Sequence, residues 1–136
     1  MKVKTFNRVT LIGNVVKKPV LNETNAGIPV ATFHVVTDRE WYVNGERRKD
    51  STKHVCVAWD KLANLSHRLL KKGSLVFIEG RLQQNTYIDS NGYEQIAVEI
   101  VLDDMILLDR KSSNNERKVS SLQPLTDNLY GEKTDY

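Results

Sequence analysis

The chain has little of what metal, redox or membrane chemistry is built from. Its 136 residues include one cysteine and three histidines. Cys56, in the apolar run HVCVAW, has no second cysteine to pair with, which fits a reducing compartment, and the cytoplasm is the expected location. His34, His54, His67 and Cys56 do not stand at metal-ligand spacing, and no glycine-rich phosphate loop is present, so no metal and no cofactor is expected. Asp103 and Asp104 are adjacent, and neighbours in a strand point to opposite faces, a poor arrangement for paired catalytic carboxylates. The expectation is a protein that is not an enzyme. No run of 18 apolar residues occurs, so no helical membrane span is expected. The opening MKVKTFNRVTLIGN becomes strand-like too soon to leave room for a signal or transit peptide.

What is present is a modest, unevenly placed positive charge and a strong period-two pattern. The net charge is +3; residues 111–136 hold four basic and four acidic side chains, leaving 16 against 13 in the first 110. Arg39, Arg47, Arg48, Lys49 and Lys53 crowd one stretch, which suits a polyanionic partner. RVTLIGNVV (8–16) reads as a strand, with Gly13 as a bulge or bend. VATFHVVTDREWYV (30–43) and RRKDSTKHVCVAW (47–59) flank Asn44-Gly45, a strong hairpin signal. DKLANLSHRLLKKG changes to helical period, with Asp60 as N-cap, Leu62, Leu65 and Leu69 on one face, Lys71 and Lys72 in the last turn, and Gly73 beyond it. Strands resume over 75–88 and 93–108 around the turn DSNG. Three strands, one short helix and two strands predict an all-β domain: a five-stranded OB-fold barrel with long hairpins, an architecture that binds oligonucleotides or oligosaccharides. The domain is expected to span 1–110, followed by a polar, flexible tail over 111–136.

NRVTLIGNVVKKP, PVATFHVVTDREW, LLKKGSLVFIEGRL and DSNGYEQ, in that order between Asn7 and Leu108, resemble segments of the bacterial and mitochondrial single-stranded DNA-binding proteins. The resemblance implies a homotetramer of OB-folds around single-stranded DNA, protecting exposed strands in replication, recombination and repair, cytoplasmic and nucleoid-associated. It implies base stacking at Trp41, Trp59 and Tyr87 and a subunit-interface position at His54. The physical logic is independent of the name: every base has a π face, so aromatic platforms beside a basic groove bind strands with little regard for sequence. Trp59 ends an apolar strand just before the helix and fits core burial as well as stacking; Phe33 and Phe77 fit core.

The departures from the family pattern are specific. A further tryptophan is usual where Lys53 stands, arginine where Val55 stands, and arginines where Gln83 and Asn85 stand. Phosphate neutralisation therefore falls to Arg47, Arg48, Lys49, Lys53, Lys61, Lys71 and Lys72. In place of the acidic tip of bacterial relatives, the chain ends YGEKTDY, with Leu129, Tyr130 and Tyr136 as a small hydrophobic hook for replication or repair proteins. These losses keep open a rival reading, an OB-fold accessory of the replication-restart or primosome type that binds DNA weakly.

Overall fold

The fold follows from where the period-two pattern is apolar on one face and where it is not. The computed structural model describes residues 4–108; the expected tail over 111–136 and its Leu129, Tyr130 and Tyr136 lie outside the described residues. Six strands and one helix run in the order β1 (Val9–Val15), β2 (Val20–Glu23), β3 (Pro29–Val43), β4 (Glu46–Trp59), α1 (Lys61–Leu69), β5 (Leu75–Ile88) and β6 (Glu94–Leu107). The sheet order is β1-β5-β6-β4-β3-β2, and a further β1–β3 pairing closes it. β1, β3, β4, β5 and β6 thus form a closed five-stranded OB-fold barrel. All its pairings are antiparallel except a two-residue parallel contact, Cys56 with Ile100 and Val57 with Val101.

Alternation decides the core. Ala31, Phe33 and Val35 of β3, Cys56 and Ala58 of β4, Val76 and Ile78 of β5, and Ile100, Leu102 and Met105 of β6 point inward and are buried. Phe33 is core, as expected. Phe77 alternates outward and is only partly buried, between its cross-strand neighbours Ile12 and Ile106. Burial of the Cys56 thiol pushes its pKa up to about 12, so it stays a neutral packing group.

Several local expectations are corrected. Four strands precede the helix, because VLNE pairs with β3 as a short edge strand, β2. Gly13 sits in an unshifted register rather than a bulge; it is needed because an added Cβ would lie 2.4 Å from the Val36 carbonyl oxygen, where β1 crosses from β5 to β3. Among the described residues the one register shift is at Glu79/Gly80. Opposite it, Asp103 and Asp104 are both exposed instead of divided between faces, and Asp103 pairs with Arg81 at 3.7 Å.

The helix closes one end of the barrel with Ala63 and Ser66 buried and Leu62 and Leu65 packed on the core, while Leu69 is exposed. Asp60 makes no side-chain cap; its backbone, at φ 59°, donates to the Pro29 carbonyl (2.8 Å), and its own carbonyl accepts from Ala63 (3.0 Å). Leu70 ends the helix in an extended conformation, so Lys71 and Lys72 fall beyond it and His67 and Arg68 occupy the last turn. A cation still reaches that helix end: Lys18 Nζ donates to the His67 carbonyl at 2.8 Å.

Candidate functional site

Two hairpin arms project from the barrel. The first, the distal part of β3–β4, runs in register from Thr37↔Thr52 to Val43↔Glu46 and turns at Asn44 and Gly45, both with positive φ, as the sequence predicted. The second, β5–β6 beyond Leu82↔Ile100, turns at 89–93, where Asp89 accepts backbone hydrogen bonds from Asn91 and Tyr93 and a side-chain bond from Gln95. Those bonds, the Tyr93 amide foremost, hold the Asp89 carboxyl below its ordinary range. Neither arm buries a residue.

Pleat alternation, carried through the unbroken β3–β4 register and across the β4–β6 pairs, sorts the arm side chains onto two faces. The face continuing the barrel interior carries Trp41, Arg39 and Arg48 on the first arm, His54 at its base, and Leu82, Val98, Ile96 and Ile88 on the second. The outward face carries Trp59, Lys53, Lys49 and Arg47 on β4 and Arg81, Gln83, Asn85 and Tyr87 on β5. Of the three expected stacking rings, Trp59 and Tyr87 therefore share a face and Trp41 lies on the other. Trp59 is 45 % exposed and Tyr87 51 % exposed, which excludes core burial for Trp59 within the chain. Trp41, opposite Arg48, stands roughly 36 Å along the strand from Trp59 at about 3.3 Å per residue.

Trp41 is already in contact with a cation. The Arg39 guanidinium carbon lies 4.1 Å from the centroid of its ring, and Arg39 also faces Asp50 at 3.9 Å. An exposed cation–π contact is worth about 0.5–1 kcal/mol. Sequence reasoning counted Arg39 in the basic stretch but not among the phosphate contacts or beside the ring; the signal was its position two residues before Trp41 on an alternating strand.

The expected phosphate-binding cations differ in what holds them. Arg47 Nε donates to Glu40 Oε2 at 2.6 Å, and Arg48 pairs with Glu46 at 3.3 Å. Lys49, Lys53, Lys61, Lys71 and Lys72 are exposed and form no ion pair with a described residue. The structure does not bring all seven together. Lys61, Lys71 and Lys72 sit around the helix, the last two in a loop tied to β1 by Gly73 N–H to Val15 O (2.8 Å). His34 lies on the outward face near Lys53, and its pKa is lowered by burial first, then by Lys53 and Lys17. His54 is partly buried, and its Nε2 bonds Thr37 Oγ1 at 2.9 Å within the chain. Among the described residues no group of three or more His, Cys, Asp or Glu side chains could hold a metal, and no helix is long and apolar enough to cross a membrane.

An exposed sheet surface bearing flat rings and unpaired cations can stack planar groups and neutralise a phosphodiester chain. Comparison with known proteins runs parallel to that chemistry. Residues 6–108 match the single-strand binding protein family. The chain is 36 % identical over 132 residues to single-stranded DNA-binding protein 2 of Listeria monocytogenes, covering 96 % of this chain and 77 % of that one. It is 39 % identical over 108 residues to the single-stranded DNA-binding protein of Caldanaerobacter subterraneus, covering 79 % and 71 %. A solved structure of the Plasmodium falciparum SSB complex with ssDNA superimposes with a TM-score of 0.74 at 31 % identity, covering 80 % of this chain and all of that one.

Proposed function

Because the chain belongs to the single-strand binding protein family, we propose that it binds single-stranded DNA with little sequence preference and shields exposed strands during replication, recombination and repair. The observation that carries this reading is the outward face shared by half-exposed Trp59 and Tyr87 and by Lys49 and Lys53, which form no ion pair with a described residue. Bases stack on the rings, each worth about 1–3 kcal/mol, while the lysines neutralise the backbone. Lys61 follows Trp59 by two residues, and Lys71 and Lys72 extend the positive surface around the helix. Trp41 adds a platform on the other face, reached by a strand that passes round the first arm. No step of this work requires catalysis, a metal or a cofactor.

The barrel is proposed to act as a homo-oligomer, most simply a tetramer. Support comes from the outer face of β1, β5 and β6, where Ile12, Phe77 and Ile106 line up across three strands with Ile12 and Ile106 at least half exposed. His54 is proposed to sit near a subunit boundary. Residues 1–110 form the binding unit; the segment 111–136, with Leu129, Tyr130 and Tyr136, is the proposed contact for replication or repair proteins. A cytoplasmic, nucleoid-associated location follows from this work.

The rival reading, a weakly binding accessory module, is favoured by Lys53, Val55, Gln83 and Asn85 replacing the family's usual ring and arginines, and by the engagement of Arg47 and Arg48 in ion pairs. A salt titration against single-stranded and duplex oligomers decides. The expected result is preference for the single strand, with log affinity falling by about 0.7 per phosphate neutralised for each unit of log salt. Equal affinity for duplex and single strand would remove the stacking reading.

A further inference from the structure

Arg39 and Trp41 raise a question that the binding reading leaves open: one face of an expected stacking platform is already taken. Both residues are on one face of β3, two apart, and the guanidinium carbon lies 4.1 Å from the ring centroid. Arg39 is the register partner of Asp50, which it faces at 3.9 Å, beyond hydrogen-bond distance, so the pair restrains the side chain loosely. Both partners of that pair are more than half exposed, where water screens the attraction. Arg48, the register partner of Trp41, hydrogen-bonds Glu46 at 3.3 Å in a pair that is also more than half exposed, and the cation that the structure sets over the ring is Arg39.

We infer that Arg39 is a displaceable cover for Trp41: it stacks on the indole in the free protein and exchanges to a phosphate when a base takes its place on the ring. The inference rests on the single-stranded DNA reading and extends it to an exchange step and to a residue outside the expected site. An exposed cation–π contact is weaker than base–indole stacking, so the exchange runs toward the base. The guanidinium displaced from the ring meets a nucleotide backbone at once, and its planar fork matches two phosphate oxygens. The free protein thereby keeps a large indole from presenting both faces to water, and the bound state uses both members of the pair.

Two readouts separate the cover from the phosphate contact. The chain has two tryptophans, Trp41 and Trp59, so a Trp59→Phe background makes emission report Trp41 alone. In that background, without DNA, Arg39→Ala is expected to raise quenching of Trp41 by acrylamide because it uncovers the ring, and Arg39→Lys to raise it less because a lysine stem covers part of the ring without the planar stack. In salt titrations with an oligothymidine, Arg39→Ala is expected to flatten the slope of log affinity on log salt by about 0.7, the loss of one phosphate contact, whereas Arg39→Lys keeps the slope. An unchanged thermal midpoint in both variants accompanies these results. Identical quenching in parent and variants would overturn the cover, and an unchanged slope in Arg39→Ala would overturn the exchange. A parent that binds no oligothymidine would overturn the functional reading and the exchange with it, while the DNA-free quenching comparison still decides whether Arg39 covers the ring.

Discussion

The strands β4 and β5 each contain two regions that follow the same backbone geometry and obey different rules. In β4 the eight residues from Glu46 to Lys53 are all exposed, and Cys56, Val57 and Ala58 are buried. In β5 burial alternates from Leu75 to Gly80, and every residue from Arg81 to Ile88 is exposed. The barrel half is held by apolar burial, which salt does not screen and which is intolerant of volume change. The arm half is held by cross-strand hydrogen bonds such as Asn85–Glu99 and by surface ion pairs such as Arg39–Asp50, the latter contributing little on its own. The difference explains why rings and cations stand exposed on the arms: a surface that must receive a ligand has no core of its own to satisfy.

Breaking the barrel should have the largest effect. Ile78 is fully buried, and Ile78→Ala is expected to destabilise by about 2–5 kcal/mol. In the arm, Ile96→Ala removes a similar volume from an exposed site and should stay within about 0.5 kcal/mol. Urea midpoints of the two variants measure the contrast, and equal losses would erase the distinction between the regions. Gly13→Ala comes next at about 1–3 kcal/mol, because the new methyl would press on the Val36 carbonyl at the seam where the barrel closes.

The arms should answer to a different assay. Trp59→Ala and Tyr87→Ala are each expected to weaken single-strand binding by about 1–3 kcal/mol with the melting temperature unmoved. A lowered melting temperature beside unchanged affinity would return those rings to a packing role. The smallest effect belongs to His34, on the outward face of β3. Its pKa is depressed in the fold, by burial ahead of Lys53 and Lys17, so the unfolded chain binds more protons at mildly acid pH. Stability from this group is complete above the ordinary value of 6.5 and is lost as pH falls below it toward the folded value. His34→Gln should flatten the stability profile as pH falls through 6.5, and an unaltered profile would show that another group governs it.

Much of this was legible because it depends on neighbours in the chain. The Asn44-Gly45 turn needs two positive φ angles, and the pair supplies residues that accept them. The span of β5 coincides with the alternating run 75–88, and the switch from period two to a helical period marked α1. Other features depend on partners distant in the chain, and there local signals misled. VLNE shows no strand pattern and becomes β2 only because β3 offers it an edge. Asp60 has the composition of a cap, yet its backbone is drawn into a bond with Pro29 that sets its conformation. Gly13 reads as a bend, but what demands it is a carbonyl on another strand.

The same division holds for the site. Composition and order by themselves pointed to an all-β fold with one short helix that carries rings and a basic stretch, because residue chemistry and strand period are local properties. Which rings share a face was decided only by the tertiary structure: pairing registers across β3, β4, β5 and β6 place Trp59 with Tyr87 and set Trp41 apart under Arg39. A one-residue change in any of those registers would invert the grouping, and register is set by packing between strands rather than by any strand alone.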